Sequence, residues 1–210
     1  MAVAGLLLAL LSAPSAMAAE PLRILAFGDS LTAGFGLPDA DGFVPQLQSA
    51  LADKGITARV INAGVSGDTT AGGLARLDWA LADDPQLVIV ELGANDGLRG
   101  LDPKTTAANL DGILAKLEAQ KRAVLLAGMK APRNLGTEYT TAFDAIYPEL
   151  AARHKVTLYP FFLDGVATDP QLNQEDGIHP NAAGVKVVVG HMLPYVLKAI
   201  DGIDRTAGQP

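Results

Sequence analysis

Leu87-Val88-Ile89-Val90-Glu91-Leu92 runs straight into Gly93-Ala94-Asn95-Asp96-Gly97, and this junction decides the fold. Leucine, valine and isoleucine without polar alternation describe a strand buried on both faces, as in a parallel sheet covered by helices. Outward from it the pattern repeats. Leu22–Phe27, Ala58–Asn62, Ala123–Ala127 and Val156–Tyr159 read as four more strands. Helical patterns fall between them at Phe43–Asp53, Gly72–Ala82, Pro103–Gln120 and Glu138–Arg153, the last with Pro148 placed to kink or divide it. A final helix is expected to start at Pro180, with one buried face at Val185, Val188, Val189, Met192, Leu193, Val196 and Ile200. Strand-helix alternation with right-handed crossovers predicts an α/β fold, a three-layer α/β/α sandwich on a five-stranded parallel sheet. Ligands in such folds sit at the carboxyl ends of the strands.

The 210 residues carry a formal net charge of −7 with a pI near 4.8. That balance argues against nucleic acid, which demands clustered cations. The densest basic groups, Lys121-Arg122 and Arg153-His154-Lys155, read as solvated helix ends. There is no cysteine, which excludes disulfides, zinc-thiolate sites and cysteine nucleophiles. Ala2–Leu11 is an apolar run followed by Ala16-Met17-Ala18, an A-x-A signal-peptide pattern with cleavage expected after Ala18. No Lys or Arg precedes the run. It is short for a membrane span, which takes ~20 apolar residues, and Pro14 sits badly in one. The expectation is a signal peptide over 1–18, one domain over 19–210, export to the periplasm or medium, and no stable membrane insertion.

Four polar stretches lie near the ends of the predicted strands. Gly28-Asp29-Ser30-Leu31 puts a serine at the mouth of the sheet; taken alone, such a motif is capping or turn chemistry in most sequences. Asn62-Ala63-Gly64-Val65-Ser66-Gly67-Asp68-Thr69-Thr70 is a small-residue loop without the lysine or glycine spacing of a phosphate cradle. Asn95 could donate its amide N–H to an oxyanion, or simply make a turn with Asp96 and Gly97. In Asp176-Gly177-Ile178-His179-Pro180 the carboxylate can reach the imidazole three residues on, though D-x-x-H can also be surface polarity or part of a metal site. No further histidine spacing supports a metal; His154 and His191 read as a helix-end and a helix-face residue. In conjunction the four supply a nucleophile, a base, its orienter and oxyanion donors, the set acyl transfer requires.

On these residues the sequence resembles the SGNH (GDSL-type) hydrolases: Gly28-Asp29-Ser30-Leu31, Gly67, Gly93-x-Asn95-Asp96 and Asp176-x-x-His179 match its four blocks in order. Val65–Thr70 and Val90–Gly100 point to the bacterial periplasmic branch of arylesterases and thioesterase I (protease I, lysophospholipase), and the likeness runs from about Leu22 to Leu197. The resemblance implies a flavodoxin-like SGNH fold without cofactor or metal. It assigns Ser30 as nucleophile, His179 as base and Asp176 as its orienter. The Ser30 and Gly67 backbone N–H groups and the Asn95 side chain would form the oxyanion hole. It also implies an acyl groove bordered by the loops after Asn95 and after the fourth strand, so Asp29, Leu31, Leu98, Arg99, Ala131, Pro132 and Ile178 are expected to contact substrate. The thioesterase I pattern carries a larger apolar residue where Ala131 stands. Its loss removes a wall and points to short acyl or aryl esters. The rivals are an acyl-CoA thioesterase or lysophospholipase using the same residues, and, from another class, a non-catalytic acyl or carbohydrate binder.

Overall fold

A computed structural model describes residues 20–203; the signal-peptide expectation for residues 1–18 lies outside the described residues. In chain order the elements are β1 Leu22–Gly28, α1 Ser30–Ala33, α2 Phe43–Asp53, β2 Ala58–Gly64, α3 Thr70–Ala80, β3 Leu87–Glu91, α4 Ala94–Leu98, α5 Pro103–Ala119, β4 Ala123–Ala127, α6 Thr137–His154, β5 Thr157–Tyr159 and α7 Ala182–Asp201. The five strands are all parallel in the order β2-β1-β3-β4-β5. Helices α2 and α7 cover one face and α3, α5 and α6 the other. The three-layer sandwich read from the alternating pattern is the fold observed.

The chain runs from β1 out to β2, then crosses back over β1 to β3 and continues in that direction to β4 and β5. The gap between β1 and β3 is therefore the topological switch point, where the chain opens a crevice at the strand ends. Register pins both neighbours there: Gly28 pairs with Gly64 of β2 and with Glu91 of β3. The core beneath is aliphatic, with every residue of β3 buried.

Element ends shift by one or two residues from the sequence reading, and two departures involve prolines. Helix α6 is undivided although Pro148 lies inside it. Its buried face of Phe143, Ile146, Tyr147, Leu150 and Ala151 holds both halves on the core and outweighs one lost hydrogen bond. Helix α7 begins at Ala182, not Pro180, because Asn181 is the N-cap, its side chain accepting from Ala183 and Gly184 N–H at 3.0 Å each. Pro180 instead bridges to Asn173. By length and composition α7 is the one described helix that could cross a membrane, but it packs on β4, β5 and α2 with Val185, Val188, Val189, Met192, Val196 and Ile200 buried and Leu193 of the predicted face half-buried.

Candidate active site

Strand β1 delivers Ser30 to the crevice through a tight turn. Asp29 caps α1, its Oδ1 accepting from Leu31 N–H at 3.0 Å, and Ser30 opens that helical turn. Gly34 ends the turn at φ 81°, a left-handed conformation that favours glycine. A Cβ on Gly28 would collide with Thr32 Oγ1 and Glu91 Oε2, so the motif's first residue has a packing reason to be glycine.

The histidine arrives from the opposite side, on the long connection between β5 and α7. Asp176 folds that segment locally: its Oδ1 accepts from Ile178 and His179 N–H at 3.0 Å each, and Gly177 sits at φ 72°. The other oxygen, Oδ2, is 2.6 Å from His179 Nδ1, and His179 Nε2 is 2.9 Å from Ser30 Oγ. Burial acts to raise the Asp176 pKa, but the two backbone donors and the imidazole outweigh it and bring it down to about 2. Gln174 ties the segment across the site, donating from Nε2 to Phe35 O at 2.8 Å and Pro180 O at 2.9 Å. The Phe35 ring lies 4.7 Å from the imidazole. A hydroxyl bonded to an imidazole whose far nitrogen is held by an anion can lose its proton as it attacks an electrophile.

Gly67, at φ 82°, and Asn95, on α4, flank Ser30. Gly67 is braced by Arg99, whose Nη2 donates to its carbonyl at 2.8 Å. Asn95 Nδ2 donates to Asp68 O at 2.9 Å and to Asp29 Oδ2 at 3.0 Å. Both amide hydrogens already have acceptors, so an incoming oxyanion has to share one of them. A groove of about 620 Å³ opens from these groups, lined on its walls by Leu98, Met129, Ala131, Phe161, Leu163 and Ile178 among others.

Of the residues expected to touch substrate, Leu31, Leu98, Ala131, Pro132 and Ile178 line this groove. Two behave differently. Asp29 borders it but its side chain is fully buried and spent on Leu31 and Asn95, because an unscreened carboxylate must find donors inside. Arg99 reaches away to the Gly67 carbonyl, the acceptor closest to hand. Ala131 is itself buried, its N–H held by Asp144 Oδ1 at 3.0 Å.

The sequence profile of the GDSL-like lipase/acylhydrolase family matches residues 26–187. The chain belongs to that family. This GDSL hydrolase is 45% identical over 172 residues to esterase TesA of Pseudomonas aeruginosa, covering 81% of this chain and 86% of that protein. It is 44% identical over 167 residues to thioesterase 1/protease 1/lysophospholipase L1 of Escherichia coli, covering 79% of this chain and 78% of that one. Among solved structures, AlinE4, an SGNH-hydrolase family esterase, is 50% identical with a TM-score of 0.74 over 88% of this chain and 99% of that chain. The family resemblance read from four motif blocks is thus borne out.

Several roles that shape the GDSL site escaped sequence reading. Asp96, buried, accepts from Thr70 N–H at 2.9 Å and Thr106 Oγ1 at 3.2 Å and so joins α3, α4 and α5 behind Asn95. Tyr147 reaches from α6 to donate to Leu92 O at 2.9 Å, and its complete burial pushes its phenol well above the usual range. Glu91 carried a signal, one acid closing an apolar strand. Arg76, Phe35 and Gln174 carried none, since their partners lie far away in sequence.

Proposed function

We propose that this chain is a serine esterase that hydrolyses carboxylic esters through an acyl-enzyme intermediate. The observation that carries the reading is the continuous Ser30–His179–Asp176 hydrogen-bonded chain at the mouth of an apolar groove. As Ser30 Oγ attacks the acyl carbonyl, His179 Nε2 takes its proton, and the Asp176 anion stabilises the imidazolium at Nδ1. The oxyanion is received by the Ser30 and Gly67 N–H groups and by Asn95. Collapse passes the proton from His179 to the departing alcohol. Water then attacks the acyl-serine, losing a proton to His179; as the acyl–Oγ bond breaks, His179 returns that proton to Ser30 Oγ and the carboxylic acid leaves.

Short acyl and aryl esters are the proposed substrates, supported by the small side chain of Ala131 in the groove wall. A second reading, a thioesterase or lysophospholipase at the same residues, is favoured by the groove's volume of about 620 Å³, more than a short acyl group fills, and by the likeness to the E. coli thioesterase. Export after cleavage of a signal peptide at 1–18, leaving one hydrolase domain over 19–210, rests on the apolar run and Ala16-Met17-Ala18.

A panel of p-nitrophenyl esters and acyl thioesters, run beside Ser30→Ala, tests the reading. Ester turnover lost in Ser30→Ala, with a fluorophosphonate label on Ser30, is the expected outcome. Unchanged turnover in that variant sinks the mechanism, and rates peaking on long acyl thioesters favour the second reading.

A further inference from the structure

Glu91 closes β3 with its side chain fully buried, and the Ser30–His179–Asp176 chain does not use it. Its Oε2 accepts from Thr32 Oγ1 at 2.7 Å and from Asp29 N–H at 3.3 Å, whereas Oε1, also buried, meets no donor. The Asp29 carboxyl lies close enough for the two acids to act on each other's ionisation, and both Asp29 oxygens already have donors, Leu31 N–H and Asn95 Nδ2. Two carboxyl groups in contact inside a protein do not both ionise. The retained proton belongs on Glu91, which has the orphaned oxygen.

We propose that Glu91 is a positioning residue for acyl transfer: as the neutral acid it donates to Asp29, keeping Asp29 an anion that anchors the Asn95 amide beside Ser30. The inference rests on Ser30 being the nucleophile. It also explains Gly28, because only a missing Cβ lets Glu91 and Thr32 approach the end of β1. Burial and the neighbouring Asp29 both push the Glu91 acid well above the usual carboxylate range, and burial lifts Asp29 to about 6.

Other ionisable groups surround the pair. Tyr147 faces it from α6 and Asp96 lies beyond on α4; His179 faces Asp29 from the final loop. Arg76, from α3, reaches Gly28 O but is paired with Asp68. None of them supplies a cation bonded to Glu91, so nothing beside the pair favours its anion.

The test is steady-state hydrolysis of a p-nitrophenyl ester by the full chain. Glu91→Leu removes the donor and is expected to lower kcat about 100-fold, the scale of a lost oxyanion donor, with KM nearly unchanged. Glu91→Gln, which can still donate to Asp29, is expected to recover most of that loss. In an Asn95→Ala background Glu91→Leu should cost almost nothing more, because the anchored amide is gone. Additive losses in that background, or a folded Glu91→Leu with kcat near wild type, overturn the proposal.

Should Glu91→Leu fail to fold, the pH profiles of wild type and Glu91→Gln decide. Wild-type kcat should fall on the alkaline side as Glu91 loses its proton, with that limb absent in Glu91→Gln; superimposable profiles overturn the proposal. Activity surviving in Ser30→Ala would instead defeat the nucleophile assignment, whatever the Glu91 variants do.

Discussion

Arg76 Nε lies 2.6 Å from Asp68 Oδ2, an ion pair with side chains only 18% and 12% exposed. The same guanidinium donates from Nη1 to Ala63 O and from Nη2 to Gly28 O, each at 2.9 Å, and stacks 4.2 Å from the Phe27 ring centroid. One side chain from α3 thus holds the ends of β1 and β2 and the loop that carries Gly67. Removing it strands a mostly buried carboxylate. Arg76→Ala should lose about 3 kcal/mol of stability, near the lower end for a broken buried pair, read by urea denaturation. Arg76→Lys should recover only part, since an ammonium lacks the planar fork.

Asn95→Ala removes a donor from the oxyanion region and strips Asp29 Oδ2 and Asp68 O of their partner. We expect kcat to fall about 10²- to 10³-fold, with KM for a p-nitrophenyl ester changing far less. A loss confined to KM would mean that the amide binds ground state and transition state alike.

The buried acids make stability depend on pH in a defined direction. Asp29 rises from 3.8 unfolded to about 6 folded, and Glu91 rises well above its model-peptide value of 4.5. Raised carboxylates bind more protons in the folded state, so their contribution is fully present below the unfolded values and is lost as pH climbs through the folded ones. For Asp29 that window runs from 3.8 to about 6; for Glu91 it opens at 4.5 and extends upward. Each titrating proton costs at most about 1.4 kcal/mol per pH unit there. Melting curves should show Glu91→Gln gaining on wild type as pH rises from the unfolded Glu range. A constant difference would remove Glu91 from the titration.

Ala131 separates the two substrate readings. Ala131→Leu restores bulk to the groove wall and should raise kcat/KM for laurate relative to butyrate p-nitrophenyl esters by about 10-fold, the range of a few methylene contacts. A ratio unmoved in a folded variant would take chain-length selection away from this position.

The sheet was legible because burial on both faces writes itself into a strand as unbroken Val, Ile and Leu. All five strands and the five long helices were found, with errors at their ends, whereas the one-turn helices α1 and α4 were not. Pro148 misled because local propensity is weak against the packing of Phe143, Tyr147 and Leu150. Pro180 misled because a neighbouring Asn is the stronger cap. The motif residues were also legible, since catalysis needs particular chemical groups and these announce themselves by type.

Residue type and spacing were enough to give the fold class, the family and the identity of the groups gathered at the strand ends. Their wiring came only with packing: Asp29 turned inward to Asn95, Arg99 turned to the Gly67 carbonyl, and Glu91 accepted from Asp29 N–H behind Ser30. The reason is physical. A side chain's type states what it can donate or accept, but its partner is whichever group the packed backbone brings within about 3 Å. For residues as far apart as Asp29 and Glu91, that distance exists only once the sheet has formed.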